Sequence, residues 1–358
     1  MDFLHDDNFN PGAVKEIPDI RTATVKDVQT FGAMGAPAID WEKGFDVETS
    51  LGFVMPTVNQ GTTLSCVGQA WRYYAQALEY KENKAFTPLS ARDMYSQMYL
   101  PQGGAQVIDG AKILTKKGVA LAVDMPDIPP VSEDAMRSRT DATEQSIARA
   151  LRYKAKSYAM IPNFVSVDRS MEEAAQTILE NFGAVTGAEG TNPGWREKGG
   201  IVRPPLAGEK VWGHGIWACG FRMLNGKKAI KFKNSWSDAW GSNGYGWLTE
   251  DYFASGHTFG FYTVVDLPDS WINAMKNMLN LIKEPGTPNL YIVSKNDMIY
   301  KMTDQETWRL LIDLGMVGDK FAEPTPEQFA NYHKAGNFPS KLLTDTLAPI
   351  APDVFGLK

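Results

Sequence analysis

Residues 59–71 read NQGTTLSCVGQAW, a loop of glycine and small polar residues that leads into an apolar, aromatic-rich segment. After Cys66 the apolar residues recur at helical spacing, with Ala70 and Tyr73 on the same face. The spacing therefore predicts a helix that begins at Cys66. At the N-terminus of a helix the dipole favours thiolate, the nucleophilic form of cysteine. Gln60, six residues upstream, offers a side-chain amide that can fold back to the same point.

Two polar residues far downstream extend this pattern. His214 lies in VWGHGI, residues 211–216, and Asn234 lies in KFKNSW, residues 231–236. A lone cysteine or a lone histidine is usually structural. Here, however, the order Gln, Cys, Gly-His and Asn-Ser-Trp resembles the papain-like cysteine peptidases. The Asn-Ser-Trp block is specific, and four blocks in this order and spacing are hard to obtain by chance.

The resemblance implies an α+β, papain-like fold of two lobes, one helical and one an antiparallel, β-barrel-like lobe, with the active-site cleft between them. It covers residues 37–266, and the segment PAIDW at 37–41 is similar to the mature start of the family. Residues 1–36 are too short and irregular to match the family's helical propeptide. We interpret them as a tether or an arm packed on the domain in preference to an inhibitory pro-segment. Residues 267–358 lie outside the resemblance and are expected to form a small C-terminal α+β module.

The resemblance also implies thiol-dependent hydrolysis of peptide bonds, as a cysteine endopeptidase. Cys66 would attack the carbonyl carbon, and His214 would pair with it as an imidazolium and protonate the leaving amine. Asn234 would hold the imidazole ring in plane. Gln60 and the backbone N–H of Cys66 would form the oxyanion hole. Since this chemistry needs no metal and no organic cofactor, we expect neither.

Further residues are expected to bind the peptide substrate or to shield the site. Gly103 and Gly104 resemble the family's Gly-Gly pair, whose backbone lies against the substrate, where glycine permits close approach. On their own they would be interpreted as an ordinary turn. Gly213, next to the histidine, belongs to the same substrate-binding set, and Trp236 would cover the His–Asn hydrogen bond from water.

Three departures from the family pattern lie beside the nucleophile. Val67 stands where the family usually has Trp, Leu64 stands where it has Gly, and Gly68 stands where Ala is common. Two other functions therefore stay open: a structural or interaction protein of a larger assembly that keeps the fold, and an acyl transferase that uses the same nucleophile. The complete Gln–Cys–His–Asn set favours hydrolysis, because a purely structural descendant would be free to lose it.

Bulk properties exclude several classes of function. The chain has 358 residues and a formal net charge of −6, which suits one large and one smaller soluble domain. Because it has no basic stripe, we expect no nucleic-acid binding. No apolar run approaches the length of a membrane span. The first residues, MDFLHDD, have neither the basic nor the apolar region of a secretory signal.

The two cysteines, Cys66 and Cys219, indicate the redox compartment. Secreted members of the family usually have several disulfides, one of which begins beside the nucleophile, where this chain has Thr63. Cys219 lies on a predicted buried strand. A chain without disulfides suits a reducing compartment, so we favour the cytoplasm, or a virion or other large assembly.

Local patterns predict the secondary structure around these blocks. A helix is expected over Ala91–Met98, with Ser90 as its N-cap. A second, charged helix is expected over Glu133–Arg152. Asn225-Gly226 between two alternating runs predicts a hairpin, with His214 on one strand and Asn234 at the far end of its partner. The long loop 190–210 ends just before the histidine, so it can overhang the cleft.

The C-terminal module has its own signals. A helix is predicted over Trp271–Lys283, a hairpin from Leu290–Val293 and Met298–Lys301, and short helices after capping boxes at Thr303/Glu306 and Thr325/Gln328. We interpret this module as a docking element for a protein partner. An alternative, equally compatible with the sequence, is that it packs on the back of the peptidase domain.

Overall fold

A computed structural model describes residues 11–16, 39–127, 132–161, 167–196, 198–265, 280–293, 298–301, 324–330 and 333–337. The chain divides into two compact units, the larger holding the described residues up to Val265 and the smaller those from Asn280 onward. The predicted domain boundary at Leu267 lies outside the described residues. Within the described ranges, no helix combines the length and the apolar character needed to cross a membrane.

Most helices of the larger unit precede its main sheet in the chain. The predicted helix begins at Cys66 and runs to Asn83, and residues 66–77 within it are all buried, so it forms the centre of the helical part. The helices described in this unit are Val47–Leu51, Cys66–Asn83, Ala91–Tyr95, Val107–Lys116, Glu133–Arg137, Glu144–Ala150, Val167–Asn181, Asn192–Trp195 and Glu250–Ala254.

The larger unit contains an eight-stranded sheet in the order β2-β8-β3-β5-β6-β7-β4, with β1 paired to β5. The β4–β7 pair is parallel and the other pairs are antiparallel. The predicted α+β class with an antiparallel-rich half is therefore confirmed. The strands are β1 Phe45–Asp46, β2 Ser157–Ile161, β3 Ala184–Gly190, β4 Ile201–Val202, β5 Trp212–Leu224, β6 Lys227–Lys233, β7 Tyr245–Thr249 and β8 Thr258–Val265.

The predicted hairpin is formed by β5 and β6. Asn225 and Gly226 both have positive φ, 52° and 77°, which is the backbone of the tight turn that Asn-Gly favours. The hairpin places His214 near the start of β5 and Asn234 directly after the last residue of β6.

The loop before Cys66 is attached to the end of β6. Asn59 forms an isolated antiparallel bridge with Trp236, and the Gln60 N–H donates to the carbonyl oxygen of Ser235 over 2.8 Å. On the next strand, a Cβ at Gly215 would lie 2.9 Å from the Cα of Val67. The helix N-terminus therefore packs directly on β5, and glycine permits this distance.

Two helix predictions differ from the structure. The helix predicted over Glu133–Arg152 is wrong as a single element, because two helices with a break at residues 138–143 are observed. Ser138 is extended, and its carbonyl accepts from Nε of Arg92 over 3.1 Å, so a tertiary contact replaces a helical bond. Thr143 then opens the second helix with a capping box. The helix predicted over Ala91–Met98 has the expected Ser90 N-cap but ends at Tyr95.

The smaller unit contains a four-stranded sheet in the order β12-β11-β10-β9. Residues 280–283 form a strand, so the helix predicted to extend to Lys283 is wrong over these residues; its earlier part lies outside the described ranges. The predicted hairpin is confirmed as β10 and β11, which pair antiparallel. The strands are β9 Asn280–Lys283, β10 Leu290–Val293, β11 Met298–Lys301 and β12 His333–Asn337.

One of the two predicted capping boxes falls on described residues of the smaller unit. Thr325 N–H donates to Oε1 of Gln328 over 2.7 Å, and Gln328 N–H donates to Oγ1 of Thr325 over 3.2 Å, which confirms the box. The helix Pro326–Ala330 follows. Its Phe329 ring packs 5.4 Å from that of Tyr291 on β10. The helix predicted after Thr303 lies outside the described residues.

Candidate active site

Cys66 lies at the first turn of its helix and has no exposed surface. Its Sγ accepts from the backbone N–H of Gly215 over 3.2 Å. The N–H groups of Cys66 and Val67 also favour the thiolate, as expected at a helix N-terminus. Burial outweighs these donors and raises the pKa of the Cys66 thiol to about 12. The thiolate expected from the sequence is therefore not the form that this buried environment favours.

His214 is fully buried on β5 and contacts Asn234. Its Nε2 lies 2.7 Å from Oδ1 of Asn234, and the Ser235 N–H donates to the same oxygen over 2.7 Å. Because that oxygen accepts, Nε2 carries the proton and Nδ1 is left with a free lone pair. Nδ1 has no hydrogen-bond partner among the described residues. Burial lowers the pKa of His214 to about 3, against the Asn234 hydrogen bond, so the imidazole is neutral.

Tryptophan rings surround the imidazole. The Trp236 ring lies 4.5 Å from that of His214, where the sequence predicts a cover for the His–Asn bond. Trp195 and Trp212 lie 5.5 and 6.3 Å away, edge-on. Neither tryptophan was predicted from the sequence to lie beside the histidine. Trp212 could have been found, because it precedes the histidine by two residues and so shares its strand face; Trp195 belongs to the loop that was expected near the cleft.

Gln60 is held on both sides of its amide and is 2% exposed. Its Nε2 donates to the carbonyl of Thr63 over 2.7 Å, and its Oε1 accepts from the Ser235 hydroxyl over 2.6 Å. Ser235 therefore joins the predicted oxyanion donor to the predicted His–Asn pair. Its own backbone N–H bonds Asn234 and its side chain bonds Gln60. From the sequence, Ser235 was recognised only as part of the Asn-Ser-Trp motif, without a role of its own.

Residues 11–16 lie in the cleft, in contact with both of its walls. On one wall, Val14 N–H donates to the carbonyl of Ala105 over 3.0 Å, and Ala105 N–H donates to that of Gly12 over 2.8 Å. On the other wall, Ala13 N–H donates to the carbonyl of Gly213 over 3.0 Å. The segment therefore pairs like a short strand, and we call residues 11–16 the arm.

The predicted substrate-binding glycines contact this arm. A Cβ on Gly104 would lie 2.0 Å from the carbonyl oxygen of Gly12, and one on Gly213 would lie 1.9 Å from that of Ala13. The backbone of the arm therefore approaches Gly104 and Gly213 as closely as a substrate backbone was expected to. This backbone, however, belongs to the protein itself. Gly103 instead packs on Leu64, whose Cδ1 would lie 2.4 Å from a Cβ there.

The arm also covers Cys66, the predicted nucleophile. Ala13 is 6% exposed, and its N–H is among the groups that favour the Cys66 thiolate. The Pro11 carbonyl lies 3.4 Å from Nε2 of Gln60. The interpretation of the N-terminal extension as a packed arm did not anticipate contact with the cleft. The sequence gives no signal for it, because these contacts are made mainly by backbone atoms.

The model of the papain family of cysteine proteases matches residues 43–258, more than half of the chain. The chain belongs to the papain family of cysteine proteases. It is therefore a cysteine peptidase of this type, and the described fold is papain-like.

Individual relatives agree with this membership. A protein of Acanthamoeba polyphaga mimivirus described as an uncharacterized peptidase C1-like protein is 26% identical over 285 residues, covering 74% of this chain and 89% of that protein. A cathepsin L-like proteinase of Phaedon cochleariae is 25% identical over 256 residues, covering 70% of each. The crystal structure of xylellain, a cysteine protease from Xylella fastidiosa, is similar in fold, with a TM-score of 0.57, 19% identity and coverage of 73% of this chain and 97% of that one.

A buried ionic network supports the end of β6 in this protease. The Lys233 side chain has no exposed surface, and its Nζ lies 3.2 Å from Oε1 of Glu48 and 2.5 Å from the Tyr245 hydroxyl. Burial lowers the pKa of Lys233, and the nearby Glu48 carboxylate opposes that shift. Because Lys233 immediately precedes Asn234, the network fixes the backbone that carries the amide.

Both cysteines of this papain-family protease are free and buried. In the described part of the chain, no group of three or more His, Cys, Asp or Glu side chains is arranged to hold a metal ion. The cleft contains a thiol, an imidazole, two side-chain amides and backbone N–H donors.

Proposed function

We propose that Cys66, His214, Asn234 and Gln60 perform the peptide hydrolysis of this papain-family protease. The observation that carries the proposal is the 2.7 Å bond from His214 Nε2 to Asn234 Oδ1, which leaves Nδ1 as the proton acceptor at a buried cysteine site. The substrate class is peptides or proteins.

In the proposed mechanism, His214 Nδ1 takes the thiol proton as Sγ of Cys66 attacks the carbonyl carbon. The tetrahedral oxyanion accepts hydrogen bonds from Nε2 of Gln60 and the backbone N–H of Cys66. The imidazolium then gives its proton to the leaving amine. Water attacks the thioester with His214 as base, which releases the carboxylic acid and restores the thiol. Asn234 holds the ring through both proton transfers.

We further propose that the arm blocks the cleft until it is displaced. The Pro11 carbonyl lies 3.4 Å from the amide nitrogen proposed to bind the oxyanion, and Ala13 lies over Cys66. While the arm is docked, burial favours the neutral thiol and imidazole. Departure of the arm would admit water, and solvation favours the thiolate–imidazolium pair. Residues 267–358 remain, as a prediction, a docking module for a protein partner.

The test compares three full-length chains on a peptide library: wild type, Gly12→Val, and Gly12→Val with Cys66→Ala. A Cβ on Gly12 would lie 2.3 Å from the Leu64 carbonyl oxygen, and its φ is +100°, so valine should undock the arm. We expect low activity in wild type, high activity in Gly12→Val and none in the double variant. An epoxide-type thiol inhibitor should label Cys66 in the Gly12→Val chain. Hydrolysis that survives Cys66→Ala would contradict the proposal.

A further inference from the structure

The arm carries a buried carboxyl group at Glu16. Glu16 is 6% exposed, although the neighbouring Lys15 is exposed. The Ile108 N–H, in the first turn of the helix Val107–Lys116, lies 3.4 Å from Oε2 of Glu16. The Val107 N–H and the Tyr262 hydroxyl on β8 lower the pKa of this carboxyl and so favour its charged form, whereas Oε1 has no hydrogen-bond partner among the described residues. A buried carboxyl needs such donors, because burial without hydrogen bonds is costly.

The strand opposite this helix is shaped to leave room for the side chain. Val185 and Gly187 on β3 are two residues apart in the chain, whereas their partners Tyr262 and Phe259 on β8 are three residues apart. The extra residue on β8 indicates a β-bulge. Gly260 lies in the bulge with φ of +57°, and a Cβ there would lie 2.6 Å from Oε1 of Glu16. A bulge with glycine thus opens the space that Glu16 fills.

We infer that the pocket bounded by Val107, Ile108, Gly260 and Tyr262 is a substrate subsite that selects the side chain of glutamate or glutamine, and that Glu16 occupies it while the arm is docked. We call it the Glu16 pocket. The inference deepens the proposed function and rests on it. The arm's backbone pairs with Ala105 and the glycines expected to hold a peptide substrate, so the next buried side chain along it samples a subsite.

The charges around the pocket decide which form of the side chain it takes. Burial raises the pKa of Glu16 to about 7, against the donors from Tyr262, Ile108 and Val107. Asp109 on the same helix raises it further, while Lys15 on the arm pairs with Glu189 at 3.8 Å. Below about pH 7 the neutral carboxyl of Glu16 is therefore favoured. The carboxamide of glutamine offers the same acceptor oxygen. A leucine or lysine would leave the donors without an acceptor.

The first test uses the full chain and reports docking of its own arm. Glu16→Gln, Glu16→Leu and Glu16→Lys are compared with wild type by the rate of Cys66 alkylation by iodoacetamide at pH 6. We expect Glu16→Gln to keep the wild-type protection. Glu16→Leu and Glu16→Lys should be alkylated about tenfold faster or more, because they lose buried hydrogen bonds. Equal rates in all four chains would overturn the inference.

The second test measures peptides in trans, by fluorescence anisotropy, on the full-length Gly12→Val, Cys66→Ala chain. The probe is the end-blocked, labelled hexapeptide PGAVKE, with Gln, Leu or Lys in place of its last residue. Glu and Gln peptides should bind about tenfold tighter than the Leu and Lys peptides at pH 5. The bound carboxyl has the higher pKa, so affinity for the Glu peptide is greatest below about 4.5 and falls as pH rises towards 7. Affinity for the Gln peptide should stay constant.

Two variants of the pocket serve as controls. Tyr262→Phe removes one donor but keeps the ring, so it should reduce the preference for Glu and Gln at least about threefold and leave Leu binding unchanged. Gly260→Ala fills the pocket and should abolish the preference. If the four peptides bind alike, or none binds, the inference is wrong. Since neither test requires turnover, selective binding without Cys66-dependent hydrolysis would remove the proposed function and keep the pocket.

Discussion

Nε2 of His214 lies 2.7 Å from Oδ1 of Asn234, and the same oxygen also accepts a hydrogen bond from the Ser235 N–H. Two donors that converge on one oxygen fix the orientation of the amide. The fixed amide in turn holds the proton on Nε2, so that Nδ1 is the ring nitrogen with a free lone pair, which we propose accepts the proton of the Cys66 thiol.

Asn234→Ala is expected to lower kcat at least about tenfold, equal to about 1.4 kcal/mol of lost transition-state stabilisation. The ring loses the hydrogen bond at its Nε2, whereas the peptide-binding walls are unchanged, so KM should change little. Steady-state kinetics in the Gly12→Val background measure this. Asn83→Ala, at an exposed helix end, is the control. A fall in substrate affinity without a fall in kcat would contradict the orienting role.

Gln60→Ala is expected to lower kcat by roughly 10²–10³ if its amide stabilises the oxyanion. Ser235→Ala removes only the hydroxyl that holds the amide at 2.6 Å, so its effect on kcat should be in the same direction and smaller. Both are measured in the Gly12→Val background. Unchanged turnover in the Gln60 variant would exclude it as the donor.

Alkylation should distinguish the two cysteines once the arm is displaced. In wild type, burial raises the pKa of both thiols, so both react slowly near neutral pH. In Gly12→Val, Cys66 should react rapidly and Cys219 should stay slow, because only Cys66 gains solvent and an imidazolium partner. Mass spectrometry after brief iodoacetamide treatment identifies the labelled residue.

The same experiment has a pH signature. A thiol of pKa about 12 gains thiolate as pH rises, so wild-type alkylation should increase about tenfold per pH unit between 6 and 9. In Gly12→Val the ion pair supplies thiolate at pH 5–6, and the profile should be flat there. Gly52→Val is the matched control, since Gly52 also has positive φ, +68°, but nothing lies within 4 Å of a Cβ. Equal labelling of both cysteines would contradict the assignment.

The sequence predicted the parts of the site that short motifs encode. The Cys66 helix, the Asn225-Gly226 hairpin and the positions of His214 and Asn234 at its ends follow from periodicity and turn chemistry. It could not predict the arm's place in the cleft, because the contacts of Gly12 and the residue after it are made mainly by backbone groups far apart in the chain. The same reason explains the broken helix after Glu133, where the backbone bonds a distant arginine.

The network beneath β6 should dominate the local stability. Glu48→Ala leaves the Lys233 ammonium buried without its carboxylate, and we expect the free energy of unfolding to fall by about 3–5 kcal/mol. Replacing both, as Glu48→Leu with Lys233→Met, should restore much of that loss, since no charge is then left unpaired. Urea unfolding measures the values. Asp251→Ala, which breaks the exposed pair with Lys227 at the same hairpin, should change stability far less.

The smaller unit is expected to be dispensable for bond cleavage. It has its own four-stranded sheet, and its described helix packs through Phe329 on Tyr291 of that sheet. The proposed catalytic residues all lie in the larger unit. A Gly12→Val chain that ends at Asp266 should therefore fold and cleave peptides at the rate of the full-length Gly12→Val chain, measured by circular dichroism and initial rates. A soluble, active truncation supports a separate task such as docking to a partner. Aggregation or loss of activity would show that residues 267–358 are needed by the peptidase domain, and the docking proposal would lose its support.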